Sequence, residues 1–453
     1  MARSNSVFVC SNCGNEFPRW SGQCPSCDAW NTLEESEIYG VEQSLSSSTG
    51  NRKALKARTL SQIDLKNSRR ISSGFSEFDR VLGGTGTGTG KGVGAEFGFL
   101  EGEVVLISGD PGIGKSTLLL QVLASLAEAG HKCLYASAEE SEGQIAVRAK
   151  RIFGDLVKDK NFRILSTFDV DSIIDILKKD PVKFLVVDSI QTVSTQDARG
   201  ISGGISQVKA SAVKLVNFAK MNNISLLLIG HITKEGNIAG PKTLEHLVDA
   251  VFQIEGDERN DFRLVRSLKN RFGTTNEVGI LSLGEKGMED VRDAGKYFTS
   301  DEDSEGVARS AILEGNRVLV VEIQALTNTT VFTQPKRVAQ GISASKLQVI
   351  CAILQKHAKV KLYDKDVYVN VAGGLNIKDP AVDLAVALAI ASSVKSKKIK
   401  ASSAVLGELS LTGKIGPVSR AESRVRELKR LGYSRVLDSS KASSIAVLIN
   451  QMR

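Results

Sequence analysis

A short apolar run, Val104-Val105-Leu106-Ile107-Ser108, leads directly into Gly109-Asp110-Pro111-Gly112-Ile113-Gly114-Lys115-Ser116-Thr117, and from there into Leu118-Leu119-Leu120-Gln121-Val122-Leu123. Residues 109–117 satisfy G-x-x-x-x-G-K-[ST], with a strand before the loop and a helix after it, the order the motif requires. The constraint on the fold is severe: a buried strand must turn sharply into a helix that packs back on its own sheet. Glycines let successive backbone N–H groups wrap a chain of phosphates, and the helix N-terminus adds positive potential. The spacing assigns Lys115 to the β- and γ-phosphates of ATP and the Ser116 hydroxyl to Mg²⁺.

The remainder of such a site is expected at the ends of later strands. Lys132 to Ala138 reads as a strand closed by Glu139-Glu140-Ser141. A carboxylate there can activate water, and Glu139 is assigned that catalytic role ahead of Glu140; an acidic helix start is the competing reading. Phe184-Leu185-Val186-Val187 ends in Asp188, a carboxylate placed to hold the Mg²⁺ shell. Leu226 to Gly230 precedes His231, with Thr233 and Lys234 beyond. His231 stands where a side chain could sense the γ-phosphate, or could be an ordinary loop histidine. Strands alternating with helices imply a parallel sheet covered on both faces. Ala198 to Gln207 is rich in glycine and serine and reads as a loop, either bare surface or the lining of a channel for a DNA backbone.

Four of the six cysteines form two knuckles, Cys10-Ser-Asn-Cys13 and Cys24-Pro-Ser-Cys27. Each pair can chelate from a tight turn, and four thiolates close a tetrahedron around Zn²⁺, or iron in a rubredoxin-like variant. A saturated site of this kind is structural. Cys133 and Cys351 stand alone in apolar surroundings and read as small core residues.

The chain has 453 residues, enough for about three domains. Its net charge of +8 favours an anionic partner without naming one. No run approaches the roughly 18 apolar residues of a membrane helix. Residues 1–6 lead into cysteines rather than an apolar stretch, so a signal peptide is not expected and a cytoplasmic location is. The boundaries read as a zinc ribbon at 1–35, a basic flexible linker at 36–70, an ATPase core at 71–296 and a second α/β unit at 297–453. A segment at 85–94, Thr-Gly-Thr-Gly-Thr-Gly-Lys-Gly-Val-Gly, reads as a flexible insertion.

Lys269-Asn270-Arg271-Phe272-Gly273 adds a pentapeptide that, with the four-cysteine ribbon and the phosphate loop in this order and spacing, resembles the bacterial RadA (Sms) family of DNA-repair proteins. The resemblance covers essentially the entire chain. It implies a RecA-like ATPase, a homo-hexameric ring, and ATP-driven movement on single-stranded and branched DNA that extends strand-exchange products alongside the RecA recombinase. By the same resemblance, Lys269 and Arg271 are basic groups coupling nucleotide to DNA or reaching a neighbouring subunit's phosphates.

From about residue 297 the chain resembles the proteolytic domain of Lon. Arg317 to Ile323 and Asp366 to Val371 read as strands, and Pro380 to Val394 as a buried helix after Asp379. The Lon pattern has its nucleophilic serine where this chain has Ala381, and its lysine falls near Glu422. Without that pair, peptide hydrolysis has no chemistry. Basic clusters at 395–400 and from Arg420 to Arg430 make the unit a candidate DNA-binding platform or a solvated charged surface.

Overall fold

The structure is a computed structural model that describes residues 6–10, 16–17, 19–25, 28–37, 70–84, 97–154, 160–198, 200–231, 244–256, 261–291, 299–300, 302–331 and 333–451. Nearly all of the expected linker, the insertion at 85–94, and Cys13, Cys27, Arg199, Thr233 and Lys234 lie outside these. The chain divides into two compact units, residues 1–255, 263–275 and 283–289 in the first and 256–262, 276–282 and 290–453 in the second. Among the described residues no helix is long and apolar enough to cross a membrane.

The first unit opens with a small antiparallel sheet, β1 (Ser6–Cys10), β2 (Glu16–Phe17) and β3 (Leu33–Glu37), in the order β2-β1-β3. After α1 (Ser76–Leu82) comes the large sheet. Its elements are β4 (Val104–Gly109), α2 (Lys115–Glu128), β5 (Cys133–Ser137), α3 (Glu142–Phe153), β6 (Phe162–Ser166), α4 (Val170–Lys179), β7 (Phe184–Asp188), α5 (Ile205–Met221), β8 (Ser225–Ile229), β9 (Ala250–Glu255) and β10 (Phe262–Asn270). Seven of its strands run in the order β10-β9-β4-β8-β7-β5-β6. The six from β9 to β6 are mutually parallel and β10 is antiparallel to β9. β4, β5, β7 and β8 are buried along their whole length, which is why they read as continuous apolar runs rather than alternating ones.

Local sequence sets the helix starts. Ser141 and Gln144 form a reciprocal capping box at α3, and the Asp169 carboxylate accepts from the Asp171 and Ser172 amides at α4. The loop expected at 198–207 is shorter than its composition suggests, because α5 begins at Ile205. Gln207 is buried in its first turn, bonding Thr195 and the Ala198 carbonyl.

The second unit holds a four-stranded sheet of β11 (Val307–Glu314), β12 (Arg317–Thr329), β13 (Arg337–Gln340) and β14 (Lys365–Val371) in the order β11-β12-β14-β13. With it go α6 (Ala344–His357), α7 (Asp383–Lys395) and α8 (Ala421–Arg430). The helix expected from Pro380 is broken in two: a 3₁₀ turn, Pro380–Val382, capped by the Asp379 side chain, and then α7, buried from Asp383 to Ser392. Cys133 and Cys351 are both buried, as their surroundings suggested.

Candidate nucleotide site

The loop between β4 and α2 turns on glycines that no other residue replaces cheaply. Gly112 and Gly114 have φ of 77° and 106°, and a Cβ at Gly114 would run into the Met288 side chain. Lys115 is almost wholly buried and folds back across the loop, its ammonium donating to the carbonyls of Gly109 at 2.8 Å and Asp110 at 2.9 Å. Burial lowers its pKa, against Asp188, Glu139 and Asp110, which favour the charged form. From β10, the buried Arg263 donates to the Ile113 carbonyl at 3.1 Å and fixes the loop's crest.

The carboxylates expected from the sequence gather beside this loop. Ser137 and Asp188 are register partners at the carboxyl ends of β5 and β7. The Ser137 hydroxyl accepts from the amides of Glu139 and Glu140 and shapes the turn that follows. The two glutamates then part. Glu139 Oε1 accepts from the Ser189 hydroxyl at 2.5 Å and lies 3.3 Å from His231 Nε2, whereas Glu140 pairs with Arg148 at 2.8 Å. The His231 hydrogen bond, the Ser189 hydrogen bond and nearby positive charge hold the Glu139 carboxyl below its ordinary pKa against the cost of burial. Asp188 Oδ2 accepts from the Tyr135 hydroxyl at 2.5 Å, and its Oδ1 is buried without a hydrogen-bond partner. An orphaned carboxylate oxygen near the first turn of α2 is the donor a hard divalent cation takes, so the residues present fit Mg²⁺.

Lys269 to Gly273 lies elsewhere. Asn270 pairs with Ala250, whose parallel partner is Val105 at the start of β4, so the turn sits at the opposite ends of the parallel strands from the phosphate loop. Lys269 donates to the carbonyls of Glu245 and Val248, the latter at 2.8 Å, and Arg271 pairs with Asp249 at 3.1 Å. Asn270 donates to the carbonyls of Val81 and Leu82, and the Phe272 carbonyl accepts from Arg70 at 2.5 Å. A nine-residue strand spans about 30 Å, so β10 carries Arg263 at one end and this turn at the other.

Comparison with known proteins decides the family. The chain is 39% identical to DNA repair protein RadA of Bacillus subtilis (strain 168) over 449 residues, covering 96% of this chain and 93% of that protein. It is likewise 39% identical to DNA repair protein RadA of Escherichia coli (strain K12), over 95% of this chain and 92% of that one. The chain belongs to the RadA family. Residues 96–237 match the family model of the AAA domain, so this RadA-family chain carries an ATPase domain. A KaiC-like protein from the archaeon Pyrococcus horikoshii OT3 aligns with 49% of the chain and 99% of its own length, at 21% identity and a TM-score of 0.39.

At the amino terminus, residues 8–35 match the rubredoxin metal binding domain. Cys10 and Cys24, one from each knuckle, are fully buried in one cluster with Leu33, against Phe8 and Phe17. Thiols of both knuckles brought into one dry cluster fit a thiolate metal site. Cys13 and Cys27 lie outside the described residues.

In the second unit, residues 315–441 match subunit ChlI of Mg-chelatase, and the unit is the Lon-like domain of this RadA-family chain. Ala381 is fully buried. Glu422 is exposed in the first turn of α8, and the cation at the Asp379 carboxylate is instead Arg424, fully buried and 2.7 Å away. Its guanidinium also donates to the Ala311 carbonyl at 2.6 Å and to Ser419. Arginine does not surrender a proton in proteins, so it cannot stand in for a catalytic lysine.

Sequence reasoning missed Tyr135, Arg148, Ser189 and Arg263. Tyr135 is hidden in an apolar run, and the others meet the site only through tertiary contacts.

Proposed function

We propose that the chain hydrolyses ATP at residues 109–117 and spends that free energy on moving along DNA. The observation that carries this reading is the Glu139 carboxylate, tied to Ser189 and His231 beside the phosphate loop. With its pKa depressed, Glu139 is ionised through the neutral range, ready to take a proton from water as general base. His231, on the same oxygen, is suited to register whether the γ-phosphate is present. Gly109, Asp110, Pro111, Gly112, Ile113, Gly114 and Thr117 supply backbone to the phosphates, and Lys115 leaves its loop carbonyls to meet them. Ser116 and Asp188 would hold Mg²⁺, which neutralises charge developing on the phosphates.

Lys269 and Arg271 stand far from this site within one subunit. That separation favours a role toward DNA or toward the phosphates of a neighbouring copy in a homo-hexameric ring. The names of the relatives, together with the net charge of +8, support DNA as the substrate track, and the family resemblance implies its single-stranded and branched forms. The finer reading is a cytoplasmic helicase that promotes branch migration and strand exchange with the RecA recombinase, its ribbon organised by Zn²⁺. Rates of ATP hydrolysis with and without single-stranded DNA, and strand displacement on a forked duplex, test it. Stimulation by DNA and unwinding, both lost in Lys115→Ala, are expected. DNA binding without unwinding would leave an ATP-regulated scaffold, and hydrolysis undiminished in Lys115→Ala would overturn the site itself.

A further inference from the structure

The carboxylate at the end of β7 is buttressed from the neighbouring strand. Tyr135 lies in the middle of β5 with no solvent exposure, and its hydroxyl donates to Asp188 Oδ2 at 2.5 Å. Behind it, Arg148 of α3 donates to the phenolic oxygen at 3.3 Å and is clamped by Glu140 at 2.8 Å.

Packing alone gives no reason for a phenol at this place. Phenylalanine would fill nearly the same volume, and a buried hydroxyl costs free energy unless it is bonded. What the hydroxyl adds is a defined orientation. With Oδ2 occupied by Tyr135, Oδ1 is the oxygen left buried and unpartnered.

We propose that Tyr135 is a positioning residue for the metal-binding carboxylate: its hydroxyl fixes Asp188 so that Oδ1 is offered to Mg²⁺, and the Arg148–Glu140 pair fixes the phenol. The proposal rests on the reading of residues 109–117 and Asp188 as the site of Mg²⁺ and nucleotide. It also explains why two adjacent glutamates diverge, Glu139 toward Ser189 and His231, Glu140 toward the brace that steadies the metal side.

The test uses the full chain and two readouts. Calorimetry measures ADP affinity in Mg²⁺ and in EDTA, and hydrolysis is titrated with Mg²⁺. Tyr135→Phe removes only the hydroxyl. It is expected to bind ADP in EDTA as the parent does, to lose about tenfold of the affinity gained from Mg²⁺, and to need about tenfold more Mg²⁺ for half-maximal hydrolysis, the usual effect of removing a partner of a ligating carboxylate. Excess Mg²⁺ should restore most of its rate. Arg148→Met should move both readouts the same way, less far, and carries the test if Tyr135→Phe fails to fold. A Tyr135→Phe chain with the parent's Mg²⁺ dependence, or one equally weakened for ADP in EDTA, overturns the proposal. Asp188→Asn separates the two levels. If it keeps the full Mg²⁺ gain, the metal assignment is wrong; if it loses that gain while Tyr135→Phe does not, Tyr135 alone has been misread.

Discussion

Gly83 and Gly273 lie back to back: a Cβ on Gly83 would stand 2.8 Å from the Gly273 Cα, and one on Gly273 would stand 3.1 Å from the Gly83 Cα. The first closes α1 and the second closes the pentapeptide Lys269 to Gly273. Asn270 completes the seam by donating to the carbonyls of Val81 and Leu82, which the end of α1 leaves open. The pentapeptide is thus a docked turn as well as a basic one.

Gly273→Ala should therefore act as a packing lesion. Its Cβ would meet the Asn270 amide nitrogen at 2.7 Å as well as Gly83, and overpacking of this kind costs about 1–3 kcal/mol. Thermal melting should show a drop of several degrees, as expected of about 1 kcal/mol or more, and stimulation of hydrolysis by DNA should fall with it. A melting curve matching the parent's would mean the seam opens without cost.

Glu139→Gln should reduce hydrolysis by about 10²–10⁴-fold while leaving nucleotide binding near normal. Because hydrogen bonding to His231 is the main cause of the depressed Glu139 pKa, His231→Ala should raise it toward the ordinary carboxylate value. The acid limb of the pH–rate profile then moves upward. An acid limb that stays in place would separate His231 from the ionisation of Glu139.

Glu103 precedes β4 and is buried beside Arg70 and Asp249, with one oxygen accepting from the Leu100 amide at 3.0 Å and the other lacking a partner. Burial, the largest influence, pushes its pKa up to about 7. A carboxyl that prefers its proton when folded costs nothing below its ordinary pKa, and its penalty grows as pH rises to about 7 and then levels off. Glu103→Gln should accordingly melt like the parent at acid pH and above it in mild alkali, by up to about 3 kcal/mol. Equal melting at both ends of that range would refute the shift.

Arg424→Met strands the Asp379 carboxylate in the second unit. Burial raises the Asp379 pKa, but the Arg424 hydrogen bond, the amides of Ala381 and Leu313 and the Arg424 charge together bring it below the ordinary value. Its stabilising contribution is present above that ordinary value and is lost as pH falls through the depressed one. Breaking the pair should cost about 3–5 kcal/mol in urea unfolding at neutral pH, and adding Asp379→Asn should recover much of it. A double variant no better than the single one would show that the guanidinium acts through the Ala311 and Ser419 carbonyls instead.

What could be read from the chain itself follows a physical line. The phosphate loop, the buried parallel strands and the thiol knuckles were legible because each rests on neighbours in sequence: a turn, an apolar run, a chelating pair. Asp188 and Glu139 were legible because strand ends in such a sheet point to one edge. The bond from Ser189 to Glu139 was not, nor that from Tyr135 to Asp188, since each joins residues on, or just beyond, two different strands with no spacing to announce it. Ala198 to Gln207 misled for the opposite reason. Its composition speaks for a loop throughout, but tertiary burial of Gln207 lets α5 start inside it, at Ile205.

The Arg424–Asp379 pair also limits what one substitution can do in the second unit. Exchanging Ala381 for serine would place a hydroxyl in a sealed interior whose neighbouring acid is already committed to a cation that cannot accept a proton. Ala381→Ser alone would therefore supply a nucleophile with no base to activate it.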